Sequence, residues 1–313
     1  MTTRHLVDPE LLPFLQAFPT VTITSDNLQQ LRGRDLPLPD VEDCSVDWEE
    51  RHIEGPETPI RVRIYRPRES AGTLACILHI HGGGFVGGNL EEVDFHLRPI
   101  ASAVGCVIVT VDYRLAPETR FPGNVEDCYA ALGWVHANSG DLRIDLNRLG
   151  VMGESAGGGL AAALALLARD RGEYRLFFQH LIYPMLDDRT CVRQPNPNAG
   201  EFIWHAQNNG FGWRALLGHE PGLPGVSPYA APARSTDLSG LPPTFIGTGA
   251  LDLFVDENID FAARLINAAV PTELHVWPGG FHGFDLLPGP RIADAARRTS
   301  VEALGRALQP RIT

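Results

Sequence analysis

The sequence predicts an α/β protein in which a mostly parallel sheet is covered by helices on both faces. Two observations carry that expectation. Short apolar runs alternate with stretches of helical periodicity, and most of the runs lack the two-residue alternation of a strand with one wet face. The chain also has 313 residues, 44% hydrophobic and 20% charged, enough to fill the core such a sheet needs.

Residues 61–65 alternate polar and apolar side chains, as a half-buried or edge strand does. Residues 74–80, 107–111, 149–153, 181–183, 244–248 and 273–277 read as more deeply buried strands. Helices are expected near 91–104, 123–138, 156–171, 256–269 and 292–308. Residues 1–45, with a helix-like 9–18, and residues 186–232, dense in Pro, Gly, Asn and aromatics, break the rhythm. Loops of that length in a compact domain tend to be lids or binding elements. The core is therefore expected over 46–185 and 233–313, with an irregular surface insertion as the plainer reading of 186–232.

A formal net charge of −12 argues against nucleic acid or an anionic membrane as partner, because both require a basic footprint. Cys44, Cys76, Cys106, Cys128 and Cys191 are odd in number and form no C-x-x-C pair, which fits a reducing compartment better than a disulfide framework. The N-terminus has no apolar signal core, and residues 160–168 are too short to span a bilayer, so a cytoplasmic protein is expected.

Four motifs fall in an order that one catalytic machine requires. Gly153-Glu154-Ser155-Ala156-Gly157 follows a short apolar strand and opens an Ala/Leu-rich helix, the setting of a nucleophile elbow. His81-Gly82-Gly83-Gly84 follows another strand; the Gly83 and Gly84 amides, with that of Ala156, are candidates for an oxyanion hole, and His81 reads as a loop organiser. Asp252, just after a strand, is the candidate orienting carboxylate, preferred over Asp256, which like Glu257 can simply complement a helix dipole. His282, in a Gly-rich loop after a strand, is the candidate base.

His79 and His81 sit two apart, a spacing that can chelate a metal, but no third ligand is evident in the sequence. No metal or cofactor is expected, and His79, His180 and His275 read as structural. Phe14, Phe18, Phe202, Trp204, Phe211 and Trp213 are candidates for an apolar wall over the substrate, with ordinary packing as the alternative for each.

Nucleophile, oxyanion loop, orienting carboxylate and base together read as a serine esterase, and three rival readings stand beside it. Gly82-x-Gly84-x-x-Gly87 with Asp112 matches a dinucleotide fingerprint, but Glu91, Glu92 and Asp94 at the expected helix start would repel a pyrophosphate. An amidase or peptidase would use the same three residues. A non-catalytic receptor would lack the base, and His282 is present.

At these motifs the chain resembles the hormone-sensitive lipase family of α/β-hydrolases, the bacterial family IV carboxylesterases. It also carries Asp112-Tyr113-Arg114-Leu115-Ala116-Pro117-Glu118 and then Phe121-Pro122, similar to a further segment of that family, and the resemblance spans roughly residues 45–310. It implies the α/β-hydrolase fold with an eight-stranded, mostly parallel sheet and a helical cap built from 1–45 and 186–232. It implies the roles given above for Ser155, His282, Asp252, Gly83, Gly84 and Ala156, and hydrolysis of small short-chain acyl esters without a cofactor. A homodimer is one assembly such a chain could form. Glu154 replaces the frequent Asp of the family, and Leu253 replaces the usual Pro after Asp252.

Overall fold

The computed structural model describes residues 2–17, 20–34, 45–70 and 72–309. One eight-stranded sheet runs in the order β1-β2-β4-β3-β5-β6-β7-β8. Its strands are β1 (Val46–Ile53), β2 (Ile60–Pro67), β3 (Leu74–Ile80), β4 (Val107–Asp112), β5 (Ile144–Glu154), β6 (Gln179–Ile182), β7 (Thr244–Gly249) and β8 (Thr272–Trp277). The β1–β2 and β2–β4 pairs are antiparallel, and the remaining pairs are parallel.

Side chains alternate between two buried layers. Ile77, Ile108 and Met152 point to a cluster with Leu97, Ala101, Leu304 and Leu308, which belong to α3 (Asp94–Val104) and α8 (Arg291–Leu308). Leu78, Val109 and Val151 point the other way, to a cluster with α4 (Gly123–Ala137), α5 (Ala156–Arg171) and α7 (Val255–Asn267). Two buried faces explain why the central strands read as continuous apolar runs. Helix α5 is buried on every side from Ala156 to Ala168, which accounts for a composition with little polar face.

The periodicity of the sequence places neither of two elements. Strand β1 was not foreseen, because Asp47, Trp48, Glu49 and Glu50 make its middle exposed. It is an edge strand held by cross-strand charge, with Glu50 opposite Arg63 and bonded to it; charge on an edge also blunts unwanted pairing with other chains. The mid-chain helix α6 (Ala206–Leu217) lies in the Gly/Asn-rich stretch 186–232, where the periodicity marks no helix although the family resemblance implies a helical cap. Tertiary contacts hold it. The buried Asn208 side chain accepts from Ile23 N at 2.8 Å and donates to Val21 O at 2.9 Å, so it fastens the N-terminal segment to α6.

The Asp112–Glu118 stretch ties the same parts together. The Tyr113 ring stacks on His81 at 4.4 Å, and its hydroxyl donates to the His81 carbonyl. Arg114 grips the fully buried Asp127 of α4, and Glu118 pairs at 2.8 Å with Arg32 of the short helix α2 (Leu28–Arg32), which follows α1 (Leu12–Ala17). The acidic groups at the start of α3 are likewise paired, Glu91 with Arg61 and Arg63, and Asp94 with Arg63 and Tyr65.

His180 of β6 is 1% exposed, stacked on Phe245 at 4.3 Å, with Nε2 2.7 Å from Ser300 Oγ. Burial lowers its pKa from 6.5 to about 3. Between those values the unfolded chain takes up a proton that the folded one refuses, so stability is lost as pH falls from 6.5 towards 3. The expected loss at pH 4.5 is about 2–3 kcal/mol. Urea midpoints at pH 7 and pH 4.5 check this. His180→Gln should lose less stability on acidification than the wild type, and equal losses would count against the assignment.

Candidate active site

Ser155 lies between the end of β5 and the start of α5, with φ 56° and ψ −122°, a backbone conformation that costs free energy for any residue but glycine. The surrounding backbone holds it there. Ser155 N donates to Ile182 O at 2.9 Å, while its carbonyl accepts from Gly159 N and Met185 N at 3.0 and 2.9 Å. Close approach also explains Gly157, since a Cβ at that position would stand 2.0 Å from the Ile80 carbonyl oxygen and 2.4 Å from that of His81. Only glycine lets α5 start against the end of β3.

His282 lies on the loop after β8, 7% exposed. Its Nε2 is 2.9 Å from Ser155 Oγ, and its Nδ1 is 2.7 Å from Asp252 Oδ2. Asp252 is fully buried after β7, and its other oxygen accepts from Phe254 N at 2.8 Å. The structure therefore brings Ser155, His282 and Asp252 into one hydrogen-bonded line. Asp256 stays outside it, next to Asn196 Nδ2 at 3.1 Å. Glu257, read as a possible dipole complement, instead turns inward and accepts from Leu186 N at 2.6 Å and from Asp187 N at 3.2 Å.

The glycine loop lies directly over the nucleophile. A Cβ at Gly82 would be 3.4 Å from Ser155 Cβ. Gly83 and Gly84 have φ of 115° and 62°, and the Gly83 carbonyl accepts from Val86 N and Gly87 N, which curls the loop. The Gly83 and Gly84 N–H groups make no backbone hydrogen bond among the described residues. Ala156 supplies the first helical N–H of α5, where the dipole is positive. His81 is buried and its Nδ1 is 2.8 Å from the Gly82 carbonyl oxygen, with the ring packed on Tyr113. Burial lowers its pKa, which suits a neutral loop organiser.

The aromatic candidates separate. Trp204, 8% exposed, approaches closest. A Cβ on Gly84 would fall 2.2 Å from its ring, and that ring is 6.3 Å from His282. Phe202 packs 6.1 Å from Phe281, beside His282, in a cluster with Val7 and Leu11. Trp213 is fully buried behind the glycine loop, 5.2 Å from Phe85, with no face left for a ligand. Phe211 lines a cavity of about 730 Å³ between α6 and residues 22–25 that none of Ser155, Asp252 or His282 borders. Phe14 is half-buried in α1, and Phe18 lies outside the described residues.

Two ring contacts to His282 were not foreseen. Tyr183, at φ 34°, sits 4.6 Å from it and Phe254 sits 5.4 Å away edge-on, so the imidazole is clamped on two sides. Tyr183 directly follows β6, and Phe254 lies two residues after Asp252 and directly before α7. Glu154, which stands where the family frequently has Asp, places its buried carboxylate 2.8 Å from His79 Nε2. Burial raises its pKa, but the charges of His79 and His96 outweigh that and hold the carboxyl well below the usual range.

The family profile described as the alpha/beta hydrolase fold matches residues 77–286, well over half of the chain. The chain belongs to the alpha/beta hydrolase fold family. This hydrolase is 35% identical to Carboxylesterase NlhH of Mycobacterium tuberculosis, with 97% of each chain covered. It is also 35% identical to Esterase LipI of the same organism, over 90% of this chain and 88% of that one. The solved structure of a Bacterial Heroin Esterase superposes with a TM-score of 0.91 at 39% identity, covering 99% of this chain and all of the other. The hydrolase is accordingly a carboxylic ester hydrolase of the hormone-sensitive lipase type, and the dinucleotide and receptor readings fall away. No helix among the described residues is long and apolar enough to cross a membrane.

Proposed function

We propose that this esterase hydrolyses short-chain acyl esters through an acyl-enzyme on Ser155, with His282 as base and Asp252 as its orienting carboxylate. The observation that supports the reading is the unbroken line Ser155 Oγ–His282 Nε2–His282 Nδ1–Asp252 Oδ2, at 2.9 and 2.7 Å. His282 Nε2 takes the hydroxyl proton as Ser155 Oγ attacks the ester carbonyl. The Gly83, Gly84 and Ala156 N–H groups receive the charge on the carbonyl oxygen, each such donor being worth about 10²–10³ in rate. The imidazolium then protonates the leaving alkoxide, and a water deprotonated by the same nitrogen releases the acid.

In this reading the described residues of 1–45, together with 186–232, form a cap over the site, a division favoured by the hydrogen bonds of Asn208 to Val21 and Ile23 and by the Phe202–Phe281 contact. Trp204, standing against Gly84 and His282, limits the acyl arm. A reducing cytoplasm suits the free thiols of Cys76, Cys106 and Cys128.

A series of p-nitrophenyl esters from acetyl to hexadecanoyl, run beside matching anilides, tests the proposal. The expected kcat/KM maximum lies at hexanoyl or shorter, with esters well ahead of anilides, and Trp204→Ala moves the maximum to longer chains. A maximum at dodecanoyl or beyond would overturn the short-acyl reading, and faster anilide turnover would make the principal reaction amide hydrolysis.

A further inference from the structure

On the sheet face covered by α3 and α8, beside the nucleophile but outside its hydrogen-bonded line, three side chains from distant parts of the chain converge. His79 comes from β3, His96 from the first turn of α3, and Glu154 is the last residue of β5. One ligand atom of each lies within 4.8 Å of the others. The chelating partners of His79 are thus His96 and Glu154 and not His81, which faces Tyr113 instead.

The cluster is incompletely satisfied. His79 Nε2 is 2.8 Å from Glu154 Oε2, and its Nδ1 is 2.9 Å from Thr110 Oγ1. His96 Nε2 stands 3.7 Å from Glu154 Oε1, beyond hydrogen-bond reach. Both ring nitrogens of His96 and Oε1 of Glu154 are enclosed without a hydrogen-bond partner among the described residues, and the Glu154 side chain is 9% exposed. A desolvated carboxylate oxygen left unpaired is costly. A cation would satisfy it and the imidazole lone pairs together.

We propose that His79, His96 and Glu154 form a binding site for a divalent transition metal, with zinc as the best match. Two imidazoles and one carboxylate are the three-protein-ligand set that zinc accepts, with a water in the fourth position. Calcium and magnesium need six or more oxygen ligands and do not fit this donor set. The fourth position opens towards a cavity of about 470 Å³ lined by His96 and Glu154 together with Phe95, Met152 and Asp285, which gives an entry path. Thr110 provides the outer support that ligating histidines usually have. On ligation through Nε2, His79 carries its one remaining proton on Nδ1, where Thr110 Oγ1 accepts it.

Zinc binding does not depend on the proposed ester reaction, so the test reads binding directly. Dialysed protein is titrated with zinc in competition with a chromogenic chelator, and in parallel with cobalt, whose visible absorption reports tetrahedral coordination. Wild type should bind one equivalent of zinc and show the cobalt band. His96→Ala and the closer-sized His96→Gln should bind about tenfold more weakly or worse and lose the band, while retaining wild-type ester hydrolysis in metal-free buffer. The absence of saturable zinc binding in the wild type would overturn the site. Zinc binding undiminished in both folded variants would overturn it too, by placing the metal elsewhere.

Discussion

Replacing Ser155 by alanine is expected to lower kcat on p-nitrophenyl acetate by about 10⁵–10⁶-fold and to leave the thermal transition in place. The backbone bonds that fix the elbow, from Ser155 N to Ile182 O and from Gly159 N and Met185 N to Ser155 O, do not involve the side chain and survive the change. The positive φ remains as unfavourable for alanine as for serine. What disappears is Oγ and its 2.9 Å contact with His282 Nε2. His282→Ala should fall by a similar factor, since without the base the hydroxyl keeps its proton. The double variant Ser155→Ala/His282→Ala then loses no more than either single one, because residues that act as one unit are not additive. Losses that multiply would show that the two side chains act independently, and ester turnover surviving in Ser155→Ala would move the chemistry to another group.

The parts of this molecule legible in the sequence are those whose local chemistry and global position agree. Strands β3, β4, β6 and β7 and the second half of β5 are buried on both faces, so their apolar runs stand out, and α5 announces itself because everything around it is protein. The Gly-rich loop and the elbow are legible for a steric reason, since a Cβ at Gly83 or Gly157 would fall 2.1 or 2.0 Å from a backbone oxygen. Strand β1 hides because an edge strand needs charge on its exposed face, and α6 hides because buried asparagines replace the usual apolar stripe. The His79–His96–Glu154 cluster was out of reach for a different reason. Its members come from three elements, and only the parallel register of β3 beside β5, with α3 laid across them, makes them neighbours. The aromatic residues expected as a wall over the substrate show the same limit, since nothing in composition separates Trp204, beside His282, from Trp213, sealed against Phe85.

Asp252→Asn is expected to lower kcat by about 10⁴-fold, and the reason lies in the different partners of its two oxygens. Oδ1 accepts from Phe254 N at 2.8 Å, and Oδ2 faces His282 Nδ1 at 2.7 Å. In asparagine the amide oxygen must stay on the Phe254 N–H, because an NH₂ group there would set donor against donor in a fully buried site. The NH₂ group is then left facing His282 Nδ1, which has to accept, so the ring proton moves to Nε2. That nitrogen now presents a proton to Ser155 Oγ and cannot take one. Turning the amide over restores the tautomer at the cost of a buried donor clash of about 1–3 kcal/mol, so neither orientation recovers the wild-type rate. Asp256→Asn supplies the comparison, since among the described residues its carboxylate, at the start of α7, is hydrogen-bonded by Asn196 Nδ2 alone. It should stay within about twofold of wild type, as exposed polar changes usually do. A large loss in Asp256→Asn together with a small one in Asp252→Asn would reassign the orienting carboxylate. The expected order of effects would instead show that Leu253, in place of the family's usual proline, leaves Asp252 in its orienting role.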